Sequence, residues 1–319
     1  MKVNVVMYHY TRDLKHSRYP RLKGLDYELF RQQIHFLKEN FNIVSMEEVI
    51  AAADGKYELP EQAALLTFDD GYIDNYTYAL PILEEAKVQG AFFIPGKTFA
   101  THQLLDVNKI HFILASADIG KLLEDVFERM DYYRGGEYDY PSNKDLFQKY
   151  AQKDRFDSEE VIFIKKILQT VLPEEARNCI ASDLLKKQVG VTEEQLAYEL
   201  YMTEDQIRTM KRHGMYIGIH GYDHYWLGNL PQEKMRKDIS KALEVMDEFI
   251  DGKRWVMNYP YGNYNEKVIR FIEEKGACLG LTTKVAVADL KGDNRFELPR
   301  LDCNDFPPIS DHYREINIM

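Results

Sequence analysis

Two adjacent carboxylates, Asp69 and Asp70, stand in the segment TFDDG at residues 67–71. They follow the apolar run at 63–66, so a buried strand ends and a loop begins at this pair. Two like charges side by side near a core are costly unless a cation or a shared proton compensates for them. The pair therefore suggests metal or proton-transfer chemistry. On the pair alone, one Asp capping a helix while the other faces water is an equally good interpretation.

A pair of histidines four residues apart, His220 and His224, also follows an apolar run. Two histidines at this spacing can bind one divalent metal from a helix or a tight turn, and one carboxylate completes a three-ligand set with an open position for water. Surface histidines recur at this spacing by chance, so the pair alone is weak evidence. Combined with TFDDG at a matching strand end, it becomes strong evidence for a catalytic metal site.

Strand-like and helix-like segments alternate along most of the chain and must position these residues. The predicted strands cover 3–8, 41–45, 63–68, 91–94, 215–220, 255–259, 277–282 and about 298–301, and the predicted helices cover 27–40, 46–53, 81–87, 232–250 and 266–275. Repeated strand–helix units with short apolar strands predict a parallel sheet covered by helices, closed or nearly closed. Functional residues of such a barrel gather at the carboxyl ends of its strands. Seven polar, aromatic or proline residues end a predicted strand: His9, Asp69, Asp70, Pro95, His220, Tyr259 and Pro260.

Residues 97–203 interrupt this alternation, because they lack clear strands and predict helices over 107–130, 158–172 and 174–188. We therefore predict a helical insertion at 97–203 in a discontinuous barrel made of residues 1–96 and 204–306. Residues 307–319 are expected to form a C-terminal tail.

Composition limits the classes of partner. The chain has 319 residues and a formal net charge of −11, which argues against a nucleic-acid footprint. No apolar run approaches the length of a membrane span, and the apolar stretch at 1–7 is too short for a signal peptide. The three cysteines, Cys179, Cys278 and Cys303, are widely spaced, as expected of reduced thiols. These features predict a cytoplasmic protein, with its oligomeric state left open.

With TFDDG and HxxxH, the chain resembles the NodB-homology polysaccharide deacetylases, carbohydrate esterase family 4, from Val3 to about Asp302 apart from the insertion. The resemblance implies an α/β fold, a distorted (β/α)7-8 barrel of the NodB type with a large helical insertion. It also implies that Asp69 is the catalytic base and that Asp70, His220 and His224 bind the metal. Two histidines and one carboxylate favour Zn²⁺, with Co²⁺, Ni²⁺ or Mn²⁺ chemically possible.

Two positions depart from the family pattern. The motif R-x-P-[FY] appears as NYPYG at 258–262, so Asn258 replaces the arginine that orients the catalytic Asp, whereas Tyr261 remains and by resemblance offers its backbone N–H to the oxyanion. Arg300, in an LPR segment similar to a motif of the exported and biofilm-type branch, is the expected substitute; the alternative is a peripheral salt bridge. Gly221 stands where the family has Ser or Thr, which removes a hydrogen bond expected to stabilise the loop.

The general-acid histidine that ends a late strand in the family has no counterpart near the C-terminus, because His312 follows two prolines and no strand. Instead, the strand at 3–8 ends in His9. This arrangement resembles the circularly permuted branch of the family, which makes His9 the expected acid. A lone histidine after a strand is otherwise more often a structural residue.

The leading hypothesis is a metal-dependent carbohydrate N-deacetylase. Asp69 takes the proton of the attacking water, the metal and the Tyr261 N–H stabilise the oxyanion, and His9 protonates the departing amine. The expected substrate is an N-acetylated sugar, nucleotide-linked, lipid-linked or in an oligosaccharide, in surface-polysaccharide biosynthesis. Two alternatives stay open: an amidase acting on a non-sugar cyclic amide, and a catalytically inactive carbohydrate-binding or scaffold protein.

Overall fold

The computed structural model describes residues 1–135, 138–153 and 157–318. The chain divides into two compact units. Residues 1–13, 24–102 and 200–319 form the barrel unit, and residues 14–23 and 103–199 form the helical unit. The helical unit thus lies within the insertion expected at 97–203, except for the segment 14–23, which the sequence did not assign to it.

The barrel unit contains one large nine-stranded sheet and a small two-stranded sheet. The strands are β1 (Lys2–Tyr8), β2 (Thr11–Arg12), β3 (Leu25–Asp26), β4 (Asn42–Ile43), β5 (Ala63–Asp69), β6 (Gly90–Ile94), β7 (Tyr216–Ile219), β8 (Trp255–Asn258), β9 (Ala277–Leu281), β10 (Ala288–Asp289) and β11 (Leu301–Asp302). Strands β1, β5, β6, β7, β8 and β9 are parallel neighbours in that order. Strand β4 pairs with β5, β10 pairs antiparallel with β1, and β2 and β3 make up the small sheet.

The segment 298–302 closes the sheet into a barrel. Leu298 forms a parallel bridge to Leu281 at the end of β9, and Leu301 of β11 pairs with Val6 of β1. Six parallel strands and this closing segment therefore complete a ring, which confirms the predicted distorted α/β barrel. Arg300 lies within the closing segment, between its two points of attachment.

The period of two along each strand decides which residues reach the interior of the barrel. Val3 and Val5 of β1, Leu65 of β5 and Val256 of β8 belong to one buried apolar cluster, whereas their sequence neighbours pack in a second cluster with the covering helices. Continuing the same alternation to the strand ends places 9, 69, 220 and 258 on the inner face. The pleat thus aims all four side chains at the mouth of the barrel.

Fourteen α-helices are described: α1 (Tyr27–Asn40), α2 (Met46–Ala53), α3 (Leu80–Ala86), α4 (Gly96–Ala100), α5 (Asp106–Ser116), α6 (Ile119–Tyr133), α7 (Asn143–Tyr150), α8 (Glu159–Lys166), α9 (Glu174–Gln188), α10 (Glu193–Leu200), α11 (Glu204–Arg212), α12 (Gln232–Met246), α13 (Glu266–Glu274) and α14 (Tyr313–Ile318). Capping boxes at Ser45 and Thr203 start α2 and α11. None of the described helices is long and apolar enough to cross a membrane.

The predicted single helix over 107–130 is wrong. Helix α5 ends at Ser116, and Asp118 starts α6 by accepting hydrogen bonds from the backbone N–H groups of Gly120 and Lys121. A helix-capping side chain competes with continued helix, and the apolar periodicity on both sides hid this break. The predicted strand over 41–45 is also shorter, because only Asn42–Ile43 pairs with β5.

Candidate active site

The candidate site lies where β1, β5, β7 and β8 end. Asp69 is the last residue of β5, and Asp70 and Gly71 then turn the chain with φ of 71° and 69°. His9 and His220 follow the ends of β1 and β7. The structure therefore brings together strand-end residues that are distant in sequence.

Asp70, His220 and His224 form a buried group whose candidate ligand atoms all lie within 4.8 Å of one another. The Oδ1 atom of Asp70 lies 3.4 Å from Nε2 of His220 and 3.2 Å from Nε2 of His224. Ligand atoms about 2.1 Å from a tetrahedral Zn²⁺ stand about 3.4 Å apart. The spacing of this group thus fits a divalent metal.

The hydrogen bonds around this group point to the same use. Within the described residues, Oδ1 of Asp70 is buried without a hydrogen-bond donor, whereas Oδ2 accepts a 2.6 Å bond from the Tyr72 hydroxyl. Nδ1 of His220 donates to the backbone oxygen of Asn258 at 2.7 Å, which holds the ring with its Nε2 atom towards Asp70. Burial lowers the pKa of His224. Burial thereby favours the neutral form of His224, the form in which an imidazole binds a metal.

Arg300 and Asn258 hold the carboxylate of Asp69 from two sides of the barrel mouth. Arg300 donates to Oδ1 at 2.9 Å and to Oδ2 at 2.8 Å, and the Asn258 amide donates to Oδ1 at 2.6 Å. Arg300 is only 1% exposed and is itself anchored on the backbone oxygen of Thr282 at 2.8 Å. This contact differs from the peripheral salt bridge considered as the alternative.

The charge of Asp69 follows from these contacts. Burial raises the pKa of Asp69. The charge of Arg300, and then that of His9, lowers this pKa by more than burial raises it, so that it lies at about 2. Oδ1 receives two donors, whereas Oδ2 receives one and lies 3.8 Å from Nε2 of His9. Oδ2 is therefore the oxygen with room for a proton.

His9 is the accessible member of the site, since its side chain is 41% exposed. It lies beside the carboxylate of Asp69, from which it can reach a substrate. His312 is elsewhere and pairs with Asp305 at 2.9 Å. The structure thus places His9, and not His312, beside Asp69.

Tyr261 lies next to His224, one of the candidate metal ligands, and has a strained backbone conformation. Its φ is 59°, and its ring centroid is 4.6 Å from that of His224. The ring stacks on Trp226 with a centroid separation of 4.3 Å and an interplanar angle of 5°. Asp70 and His224 also have positive φ, at 71° and 58°. Strained non-glycine residues tend to gather at functional sites, and three of them lie here.

Three residues around the site were missed by sequence reasoning. Tyr72 bonds Asp70, Trp226 stacks on Tyr261, and Asp238 of α12 accepts backbone hydrogen bonds from the loop between the two histidines. Burial raises the pKa of Asp238 to about 6, with the two amide donors opposing the rise. Gly221 was the sequence signal that could have pointed to Asp238, because a loop that lacks the expected hydroxyl needs another hydrogen-bond acceptor.

Comparisons with known proteins show which family the chain resembles. The family model described as polysaccharide deacetylase matches residues 56–132 and 180–279, more than half of the chain. YxkH of Bacillus subtilis (strain 168), which its name places among the polysaccharide deacetylases, is 25% identical over 104 residues, 33% of this chain and 37% of that protein. The poly-beta-1,6-N-acetyl-D-glucosamine N-deacetylase of Escherichia coli (strain K12) is 46% identical over 55 residues, 17% of this chain and 8% of that enzyme. The chain thus spans less than half the length of the curated relatives it matches.

A solved structure matches over nearly the whole chain. The Streptococcus pyogenes deacetylase PplD in complex with acetate aligns with a TM-score of 0.58 and 16% identity, covering 99% of this chain and 98% of that one. The likeness confirms the expected NodB-type barrel as a fold.

Proposed function

The chain belongs to the polysaccharide deacetylase family, and from this premise we propose that it is a metal-dependent hydrolase that removes an N-acetyl group from a carbohydrate. The observation that carries the proposal is the buried group of Asp70, His220 and His224 directly beside the clamped carboxylate of Asp69. In this proposal Asp70 binds the cation and Asp69 accepts a proton.

A divalent ion bound by Asp70, His220 and His224 would polarise the amide carbonyl and acidify a water molecule. Asp69 stays ionised because of its low pKa, and its Oδ2 atom accepts the proton of the attacking water. The backbone N–H of Tyr261 donates to the developing oxyanion. His9 then delivers a proton from Nε2 to the nitrogen of the departing amine. The C–N bond breaks, and the products are acetate and a free amino sugar.

We infer that Zn²⁺ is the preferred metal, because two imidazoles and one carboxylate suit it. The proposed substrates are N-acetylated sugars that are nucleotide-linked, lipid-linked or part of an oligosaccharide destined for a surface polysaccharide. The relative that is 46% identical over 55 residues is named for such a polymer, which supports this class. A cytoplasmic location stays a prediction.

Acetate release tests the proposal. Zn²⁺-loaded protein is incubated with free N-acetylglucosamine, a nucleotide-linked N-acetyl sugar, β-1,6-linked N-acetylglucosamine oligomers and a cyclic amide, and acetate and new amines are quantified. The proposal predicts acetate and amine in equal amounts from at least one sugar. Ring opening of the cyclic amide without acetate from any sugar would favour the amidase alternative. Metal binding with no turnover of any compound would favour a carbohydrate-binding protein.

A further inference from the structure

The loop 220–224 has to bend sharply so that both histidines face Asp70. Gly221 adopts φ of 70° and His224 adopts φ of 58° within this loop. The bend turns the backbone N–H groups of Tyr222 and Asp223 towards the protein interior, where each needs an acceptor. Without one, the desolvated amides would favour a different loop conformation and move the metal ligands apart.

Asp238 supplies both acceptors. Its Oδ2 accepts from the Tyr222 N–H at 3.0 Å and its Oδ1 accepts from the Asp223 N–H at 2.8 Å. The residue lies on the buried side of α12 and is only 5% exposed. Hydrogen bonds from backbone amides to a buried carboxylate are charge-assisted and are about twice as strong as neutral ones. One rigid helix therefore fixes two consecutive amides of the loop.

Gly221 and Asp238 are matched in shape. A Cβ atom at 221 would lie 3.1 Å from Oδ2 of Asp238, closer than an ordinary contact. Position 221 is where the family pattern has a hydroxyl residue, whose hydrogen bond this chain lacks. The missing side chain leaves room for the carboxylate of Asp238 on the side where a Cβ atom would stand.

The carbonyl groups of the same loop are anchored separately. The backbone N–H of Gly96 donates to the Gly221 oxygen at 3.0 Å, and that of Lys97 donates to the Tyr222 oxygen at 3.1 Å. The Lys97 ammonium also pairs with Asp223 at 3.3 Å. The start of α4 thus binds two carbonyl groups of the loop, and Asp238 binds two of its amides.

We propose that Asp238 is a positioning residue for the metal site: it sets the conformation of loop 220–224 in which His220 and His224 face Asp70. The inference rests on the proposed metal site and goes beyond the set of ligands. Asp238 touches neither substrate nor metal and acts only through the backbone of Tyr222 and Asp223.

The test is the Asp238→Asn substitution, which keeps the shape of the side chain but turns one acceptor oxygen into an NH₂ donor. The dissociation constants of Zn²⁺ and Co²⁺ are measured by chelator competition, and the visible absorption spectrum of the Co²⁺ form reports the ligand geometry. Because loss of a residue that orients metal ligands weakens metal affinity about 10–100-fold, we expect a change of that size and an altered Co²⁺ spectrum. An unchanged dissociation constant and spectrum would overturn the proposal.

Glu244→Gln is the matched control, because it removes the same charge from an exposed position on the same helix. It is expected to leave metal affinity at the wild-type value, and an equal loss in both variants would assign the effect to charge and overturn the proposal. Wild-type protein that binds no divalent metal would instead contradict the proposed function.

Hydrogen exchange covers the case in which Asp238→Asn does not fold. In metal-free wild-type protein, the amides of Tyr222 and Asp223 should exchange slowly, because Asp238 already binds them. Fast exchange of both amides in an otherwise protected barrel would overturn the inference without any variant.

Discussion

The barrel has a carboxylate–arginine cluster at each end, and only one belongs to the candidate site. Asp69 and Arg300 meet at the carboxyl ends of the strands, whereas Asp54 accepts hydrogen bonds from Arg254 at 2.6 Å and Arg295 at 3.0 Å near the amino ends. Arg254 lowers the pKa of Asp54 to about 2, the same value as that of Asp69. A strongly acidic carboxylate is therefore not by itself a sign of catalysis.

The surroundings of the two clusters differ. Arg300 is 1% exposed, whereas the Arg254 side chain is 43% exposed. Asp69 has the candidate metal ligands and an accessible histidine as neighbours. Within the described residues, the only candidate metal group is the one beside Asp69. Placement at the carboxyl ends of parallel strands, rather than the ion pair, distinguishes the candidate site.

The largest expected effect is that of His224→Ala. We expect metal affinity to fall by more than the about 10–100-fold typical of residues that merely orient ligands, with acetate release at background, because a ligand is gone. His213, which precedes β7 at its amino end, is the matched control. His213→Ala should leave metal content and turnover unchanged. Metal retained at wild-type affinity in His224→Ala would remove His224 from the ligand set.

His9→Gln is expected to lower kcat by about 10²–10⁴-fold, the usual contribution of a general acid. Metal affinity should not change, because His9 is not among the grouped ligands. The measurement is steady-state acetate release by the metal-loaded variant. A wild-type kcat would show that the leaving amine obtains its proton from another group.

Arg300→Gln and Arg254→Gln compare the two clusters directly. Losing Arg300 misplaces Asp69 and leaves a buried carboxylate without its cation, so turnover should fall by about 10²-fold and stability by about 3–5 kcal/mol. Arg254→Gln should keep wild-type turnover. Urea unfolding and acetate release measure both quantities. Equal losses in the two variants would erase the distinction between the clusters.

The smallest expected effect is on acid stability at the amino end. The folded pKa of Asp54, about 2, is below the value of about 3.9 expected in the unfolded chain, so its stabilisation is present above pH 3.9 and is lost as pH falls towards 2. Asp54→Asn should therefore lower the free energy of unfolding by less than about 1 kcal/mol at pH 7, and the difference should vanish near pH 2. Urea unfolding at several pH values checks this. A difference that grows as pH falls would contradict the sign.

The barrel and most of the site were predictable because inward-facing positions recur with the same period of two along each strand, up to the strand end. Alternation along β1, β5 and β8 aims His9, Asp69 and Asn258 at the same mouth. The partners of these residues were harder to find. Asp238 lies on a helix, 14 residues after His224. The apolar pattern of that helix is that of an ordinary amphipathic helix, and it does not indicate that loop 220–224 packs against Asp238.

Arg300 shows what could and what could not be predicted from the sequence. Its motif suggested the contact with Asp69, but the closing of the barrel by 298–302 makes the contact possible, and only Leu301 and Asp302 of this segment form a regular strand. Such tertiary pairings have no local signal. The break at Asp118 was missed for the opposite reason, because a strong apolar pattern continued across a local cap.

The division of labour between Asp69 and Asp70 is tested most directly by measuring metal content and acetate release in Asp69→Asn. The account predicts that this variant binds metal with wild-type stoichiometry and loses about 10²–10⁴-fold in turnover, because only the proton acceptor is gone. Asp70→Asn, measured in parallel, should lose the metal. Wild-type turnover in Asp69→Asn, or loss of its metal, would contradict the assignment.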